Sequence, residues 1–152
     1  MRKSQLYSPV LDPPAWMDLE QVAHVAVTSE DPTHPIECAF RAKSPGWRAG
    51  GRGEQTIRLI FDRPERLTRV WLRFVETEIE RTQEFSLRWW PEKDGLAREI
   101  VRQQFNFSPQ GSTTEAEDYH VDVDGVRILE LTINPDISRG TAIATLAEWR
   151  TA

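Results

Sequence analysis

The chain is poor in the residues from which most site chemistry is built. Of its 152 residues one is cysteine, three are histidine and two are methionine. The single cysteine, Cys38, excludes an intrachain disulfide, and a lone thiol reads first as a small apolar side chain. His24, His34 and His120 are far apart, with no His-x-His or His-x-x-x-His spacing. A histidine-based zinc centre is therefore not expected. Neither a Gly-x-Ser-x-Gly elbow nor a Gly-x-x-x-x-Gly-Lys phosphate loop occurs. No apolar run approaches the roughly 20 residues of a membrane span. No apolar stretch follows Arg2-Lys3, so the start does not read as a secretory signal. These absences lead us to expect a cytoplasmic protein without a cofactor, a metal or a catalytic motif.

What is present is an ordinary globular composition, 39% hydrophobic and 28% charged. The formal net charge of -5 argues against a general nucleic-acid binder, which is ordinarily basic. The charge is uneven. Arg41, Lys43, Arg48, Arg52, Arg58, Arg63, Arg66, Arg69 and Arg73 share a window with only Glu54, Asp62 and Glu65. That window carries +6 and the rest of the chain -11. Two readings stay open: strand faces whose bases pair with acids elsewhere, or a basic patch for an anion.

The hydrophobic period is two from Val22 onward. Ile57, Leu59 and Phe61 alternate with Thr56 and Arg58; Val70, Leu72 and Phe74 alternate with Arg69, Trp71 and Arg73. Phe85, Leu87 and Trp89 oppose Ser86, Arg88 and Trp90, and Gln103, Phe105 and Phe107 oppose Arg102, Gln104 and Asn106. Tyr119, Val121 and Val123, then Leu129, Leu131 and Ile133, supply two further rows. Asp62-Arg63-Pro64-Glu65 reads as a turn, and Asp94-Gly95 and Asp124-Gly125 read as tight turns with positive φ. Gly50-Gly51-Arg52-Gly53 reads as another turn, and Thr141 to Arg150 as a terminal strand. Eight or nine short strands make an all-β, two-sheet antiparallel β-sandwich. It occupies residues 21–152 behind a proline-rich N-terminal arm, residues 1–20, pinned to the body by Trp16.

The order of features is Trp47, the Gly50–Gly53 turn, Gln55-Thr56-Ile57-Arg58-Leu59-Ile60-Phe61, Pro64, Leu72-Arg73-Phe74, Phe85-Ser86-Leu87 and Asp94-Gly95. It continues with Leu129-Glu130-Leu131-Thr132-Ile133-Asn134-Pro135 and closes on Ala144-Thr145-Leu146-Ala147-Glu148-Trp149. From Val22 to Arg150 this resembles the galactose-binding-like jelly roll of discoidin and coagulation-factor C-type domains and of carbohydrate-binding modules. The resemblance implies non-catalytic recognition of sugars, lipid head groups or proteins through loops at one end. It also implies a structural calcium between an acid-rich early loop and a last-strand carboxylate. Glu148 matches that carboxylate, but Phe40-Arg41-Ala42-Lys43-Ser44-Pro45-Gly46-Trp47 has no acid. Calcium takes six to eight oxygen ligands, so no metal site is expected here.

Glu76, Glu78 and Glu80 would share one face of an extended segment, but three like charges at a strand end read as solvated rather than as a glycosidase pair. No catalytic residue is assigned. Trp47 and Trp89 are assigned to the core. Trp71 shares its face with Arg69 and Arg73, and Trp90 with Arg88, both on rows expected to be wet. A flat ring beside a guanidinium is a competent platform for a sugar face or an anion, unless a loop, the arm or a bulge covers it. The candidate ligand-binding residues are Trp71, Arg73, Arg88 and Trp90, joined by loop residues His34 and Arg52. The expected function is a non-catalytic module for a carbohydrate or another polar, anionic small molecule. The alternative is a cytoplasmic protein-interaction or assembly domain, with a protein partner or a second copy on the same face.

Overall fold

A computed structural model describes residues 1–3, 15–92 and 94–152 of the chain. Of the expected arm, residues 4–14 lie outside the described residues, as does Lys93 in the loop after the fourth strand. Among the described residues the chain forms eight strands: β1 (Ala23–Val27), β2 (Trp47–Arg52), β3 (Gln55–Val75), β4 (Arg81–Trp90), β5 (Arg98–Phe107), β6 (Thr114–Asn134), β7 (Ile143–Leu146) and β8 (Glu148–Thr151). A single helical turn, α1 (Leu19–Val22), precedes β1, and a 3-10 turn, Ile36–Phe40, precedes β2. One sheet runs β1-β3-β6-β4-β5 with β8 also on β3, and β2 pairs with β7 separately. Every named strand pairing is antiparallel.

The two long strands decide the architecture. β3 and β6 each span 21 residues and pair from Gln55↔Ile133 to Val75↔Thr114. Their register slips repeatedly between Ile60 and Arg69. Across the slip the buried positions change from Ile57, Leu59, Phe61 and Leu67 to Val70, Leu72 and Phe74, as an extra residue demands. The strands bend there, and each half joins a different layer. Phe74 of the second half stacks on Phe85 of β4 at 5.1 Å, and Tyr119 meets the same ring edge-on at 6.4 Å. Between the layers lie Phe61, Leu72, Leu87, Phe107, Leu131 and Trp149, all buried. Each such side chain contributes roughly 1.5–3 kcal/mol by leaving water.

The all-β sandwich and its strand rows match the expectation, but several turns do not. Asp62–Glu65 and Asp124-Gly125 do not reverse the chain; they are the facing sides of the bend, with Glu65 opposite Val126. Pro64 lacks the N–H that a regular ladder needs, so it fits the irregular, exposed corner. Gly125 has the expected positive φ, 71°, used for a bulge instead of a hairpin. Gly95 does not take a positive φ; its N–H closes the β4–β5 turn on the Glu92 carbonyl at 3.3 Å. Gly50, Gly51 and Arg52 belong to β2, and only Gly53, at φ 85°, turns. The expected terminal strand is split into β7 and β8, which pair with different partners. Trp89 is half-buried at the core margin, with the Arg98 guanidinium 4.9 Å from its ring.

Candidate functional site

The bend separates the residues that alternation had grouped. Trp71 and Arg73 lie on the outer face of the layer formed by the second half of β3, the first half of β6 and β8. Arg88 and Trp90 lie on the outer face of the other layer, where β4 pairs with the second half of β6. The two pairs therefore face opposite sides of the sandwich and do not form one site. His34 sits at the end of the sandwich where β3 terminates. Arg52 is further along β2, opposite Ile143, and is not among the residues lining the cavity there.

On the Arg88 face, Glu130 is 1% exposed and shared by two arginines. Arg58 Nε donates to its Oε2 at 2.5 Å and Arg88 Nη2 to its Oε1 at 2.5 Å. Both guanidinia lie over Trp90, 5.4 and 5.3 Å from the ring centre. A buried carboxylate needs such partners, so these arginines hold the strands together. On the opposite face Arg73 donates to Glu148 at 2.6 Å, and Arg69 grips Asp118 with two bonds of 2.8 and 2.7 Å.

The end of the sandwich carries the larger concavity. Two adjoining cavities of about 420 and 240 Å³ share Arg48, Val75 and Thr145 in their walls. One wall is the loop before β2. Asp31 Oδ1 accepts from the Thr33 amide at 2.9 Å and its hydroxyl at 2.8 Å, and that hydroxyl also contacts His34 Nδ1 at 2.9 Å. The Thr33 amide and hydroxyl, helped by His34 and Arg48, hold the Asp31 carboxyl below its ordinary pKa. The loop is stitched to β2 by Arg48 N–H to His34 O at 3.1 Å and Asp31 N–H to Arg48 O at 2.8 Å. Arg48 itself is exposed and, among the described residues, has no carboxylate within ion-pair distance.

The facing wall is the β3–β4 loop. Glu76 Oε2 accepts from the amides of Glu78 at 3.1 Å and Ile79 at 3.4 Å, while buried Arg81 donates to Oε1 at 2.7 Å. Burial pushes the Glu76 carboxyl up, but Arg81 and the two amides together outweigh it and hold the carboxyl below its usual range. The expected row of Glu76, Glu78 and Glu80 does not form, because this segment is a turn built on the Glu76 side chain. The third wall is β7, tied to β3 by the Thr145 hydroxyl to the Val75 carbonyl at 3.5 Å. The result is a polar cleft lined by Arg48, whose guanidinium has no carboxylate partner among the described residues, by Thr77, Thr141 and Thr145, and by the exposed Ile79. From the sequence, His34 is grouped with the tryptophan faces rather than with this cleft, Glu78 is set aside as solvated, and neither Arg48 nor Thr145 is singled out; Arg48 is one base among nine, with nothing local to distinguish it.

The calcium implied by the resemblance does not fit this donor set. Glu148 accepts from Arg73 and from Arg150 Nη2, the latter at 3.5 Å. Arg150 Nη1 donates to the Phe40 carbonyl at 2.9 Å. A guanidinium thus already links the early loop to the last strand.

These features define the galactose-binding-like jelly-roll fold. No protein-family profile matches the chain, and no curated protein matches its sequence. Solved structures do match. The chain is similar to the family 32 carbohydrate-binding module of AlyQ, in complex with 4,5-unsaturated mannuronic acid, at a TM-score of 0.62 and 16% identity. The match covers 87% of this chain and 95% of that one. It is also similar to the family 32 module of Clostridium perfringens NanJ in complex with galactose, at a TM-score of 0.59 and 11% identity over 90% and 96% of the two chains. A Ruminococcus gnavus GH29 fucosidase in complex with fucose matches at a TM-score of 0.66 and 10% identity, over 89% of this chain but 26% of the enzyme. At these identities the likeness is one of fold.

Proposed function

We propose that the chain is a non-catalytic carbohydrate-binding module whose saccharide lies in the end cleft. The observation that carries this reading is Arg48: an exposed guanidinium without a carboxylate partner among the described residues, in the walls of two adjoining cavities that threonines also line. A saccharide is a dense array of hydroxyls that takes convergent, fixed donors and acceptors in a concave site. Arg48 donates, Glu78 accepts, and His34 supplies a ring nitrogen of either role. The saccharide complexes of the AlyQ and NanJ modules support the ligand class.

The test is a glycan-array screen followed by calorimetry with the best neutral glycan. Arg48→Ala is expected to weaken binding at least tenfold, about 1.4 kcal/mol, with unchanged far-ultraviolet circular dichroism. Unchanged affinity in Arg48→Ala refutes the cleft as the site. A chain that binds no glycan and runs as a stable dimer in light scattering favours the assembly reading instead.

A further inference from the structure

The outer face of the β3–β6–β8 layer holds a second concavity that the end cleft does not use. Its cavity is about 300 Å³, lined by Trp16, Arg69, Trp71, Glu148 and Arg150. Register fixes how these groups meet. Trp71 stands between Asp118 of β6 and Arg150 of β8, with Arg69 and Arg73 two residues away on the same strand face. Trp16 closes one side, its ring 5.2 Å from the Arg69 guanidinium. The chain before α1 is fastened there by Met17 N–H to the Thr151 carbonyl at 2.8 Å.

We infer that this concavity is a second saccharide site, independent of the end cleft, and that it takes a pyranose bearing a carboxylate. The ring follows from the half-buried Trp71 and Trp16, which offer indole surface to the C–H face of a pyranose while charged groups border it. The carboxylate follows from charge. Among the described residues Arg69, Arg73 and Arg150 pair with two carboxylates, Asp118 and Glu148, so one positive charge is left over. Arg69 is spent on Asp118 through both oxygens and Arg73 on Glu148 at 2.6 Å. Arg150 reaches Glu148 only at 3.5 Å and spends its other nitrogen on the neutral Phe40 carbonyl at 2.9 Å, so its charge is the one that no close carboxylate answers. A neutral sugar would meet the indoles but leave that charge unanswered.

The test uses the whole, isotope-labelled chain and follows its indole N–H resonances, each assigned by single Trp→Phe variants. Digalacturonate and dimannuronate are titrated separately, and methyl β-galactoside serves as the neutral comparison. A saturable shift of the Trp71 and Trp16 resonances with at least one uronide is expected, several-fold weaker in 0.5 M salt. Trp71→Ala should weaken it tenfold or more. If Trp71→Ala does not fold, Arg150→Gln replaces it, with a loss of at least fivefold. Silence of both resonances with both uronides overturns the proposal, as does an equal response to the neutral galactoside. A concentration-dependent dimer that shifts these resonances without sugar also overturns it, because the face would then be covered by a second copy. None of these failures touches the end cleft, whose own readout is neutral-glycan binding in Arg48→Ala.

Discussion

At the scale of single residues the least expected feature is a polar network inside the sandwich. Arg81 is 3% exposed, lies 4.7 Å from the Phe107 ring and donates to Glu76, to Gln83 at 3.2 Å and to the Pro135 carbonyl at 2.7 Å. Gln83 passes the chain on to Glu115 Oε1 at 3.2 Å. Arg81 Nη2, Glu115 Oε2 and the Tyr119 hydroxyl are buried and have no hydrogen-bond partner among the described residues. Burial, followed by the adjoining Glu117, pushes the Glu115 carboxyl up to about 8 against the pull of Gln83 and Arg81. The folded state therefore holds a proton that the unfolded chain has released above its ordinary value near 4.5. Stability is full below that value, falls as pH rises toward about 8, and is flat above it. Urea unfolding at pH 5.5 and pH 8 should show this decline, and Glu115→Gln should flatten it, gaining about 1–3 kcal/mol at pH 8. An unchanged slope in Glu115→Gln would assign the pH dependence to another group.

At the scale of elements two glycines separate conformational cost from steric cost. Gly125 has a φ of 71° and nothing within 4 Å of where a Cβ would stand. Gly125→Ala should cost only the left-handed backbone term, about 1–2 kcal/mol. Gly46 has a φ of 81°, and its Cβ would fall 2.6 Å from the Leu146 carbonyl oxygen and 2.8 Å from Ala147 Cα. Both are backbone atoms, so β7 must move. Gly46→Ala should cost clearly more than Gly125→Ala, roughly 3 kcal/mol or above, and also weaken binding in the end cleft that β7 walls. Equal costs, measured by denaturant unfolding, would refute the close approach. The same elements show what the sequence makes legible. Alternation marks the buried rows of β3, β4, β5 and β6, because a strand's faces follow from local order alone, whereas the Trp47 and Ala49 row of β2 is hidden in what reads as a glycine turn. Asp124-Gly125 marks a positive φ but does not say whether the chain reverses, since a hairpin and a bulge use the same conformation. Without that bend, Trp71 and Trp90 look like one platform; with it they face opposite ways.

At the scale of the whole molecule the uneven charge becomes a set of cross-strand links. Arg58, Arg66, Arg69 and Arg73 of the basic window pair with Glu130, Asp122, Asp118 and Glu148, and Arg41 with Glu20. All five acids lie outside that window, so much of its positive charge is spent on links across the fold; among the described residues Lys43, Arg48, Arg52 and Arg63 have no such partner, and of these four it is Arg48 that lines the end cleft. The last strand is fastened by hydrogen bonds to carbonyls instead. Thr68 and Arg69 amides both donate to the Ala152 carbonyl, and Arg150 ties the 3-10 turn at Phe40 to β8. A guanidinium in that position supplies fixed positive charge that no change of solvent removes. Thermal unfolding should therefore be unchanged, within about 1 °C, by millimolar calcium or by a chelator. Arg150→Met should remove a charged hydrogen bond, about 1–3 kcal/mol, and lower the midpoint by roughly 5 °C for a domain of this size. Added calcium should not restore it, because Phe40–Trp47 offers no carboxylate to hold the ion. A midpoint that rises by several degrees with calcium in the unaltered chain would show that Glu148 leaves its arginines for a metal, and the link through Arg150 would then be secondary.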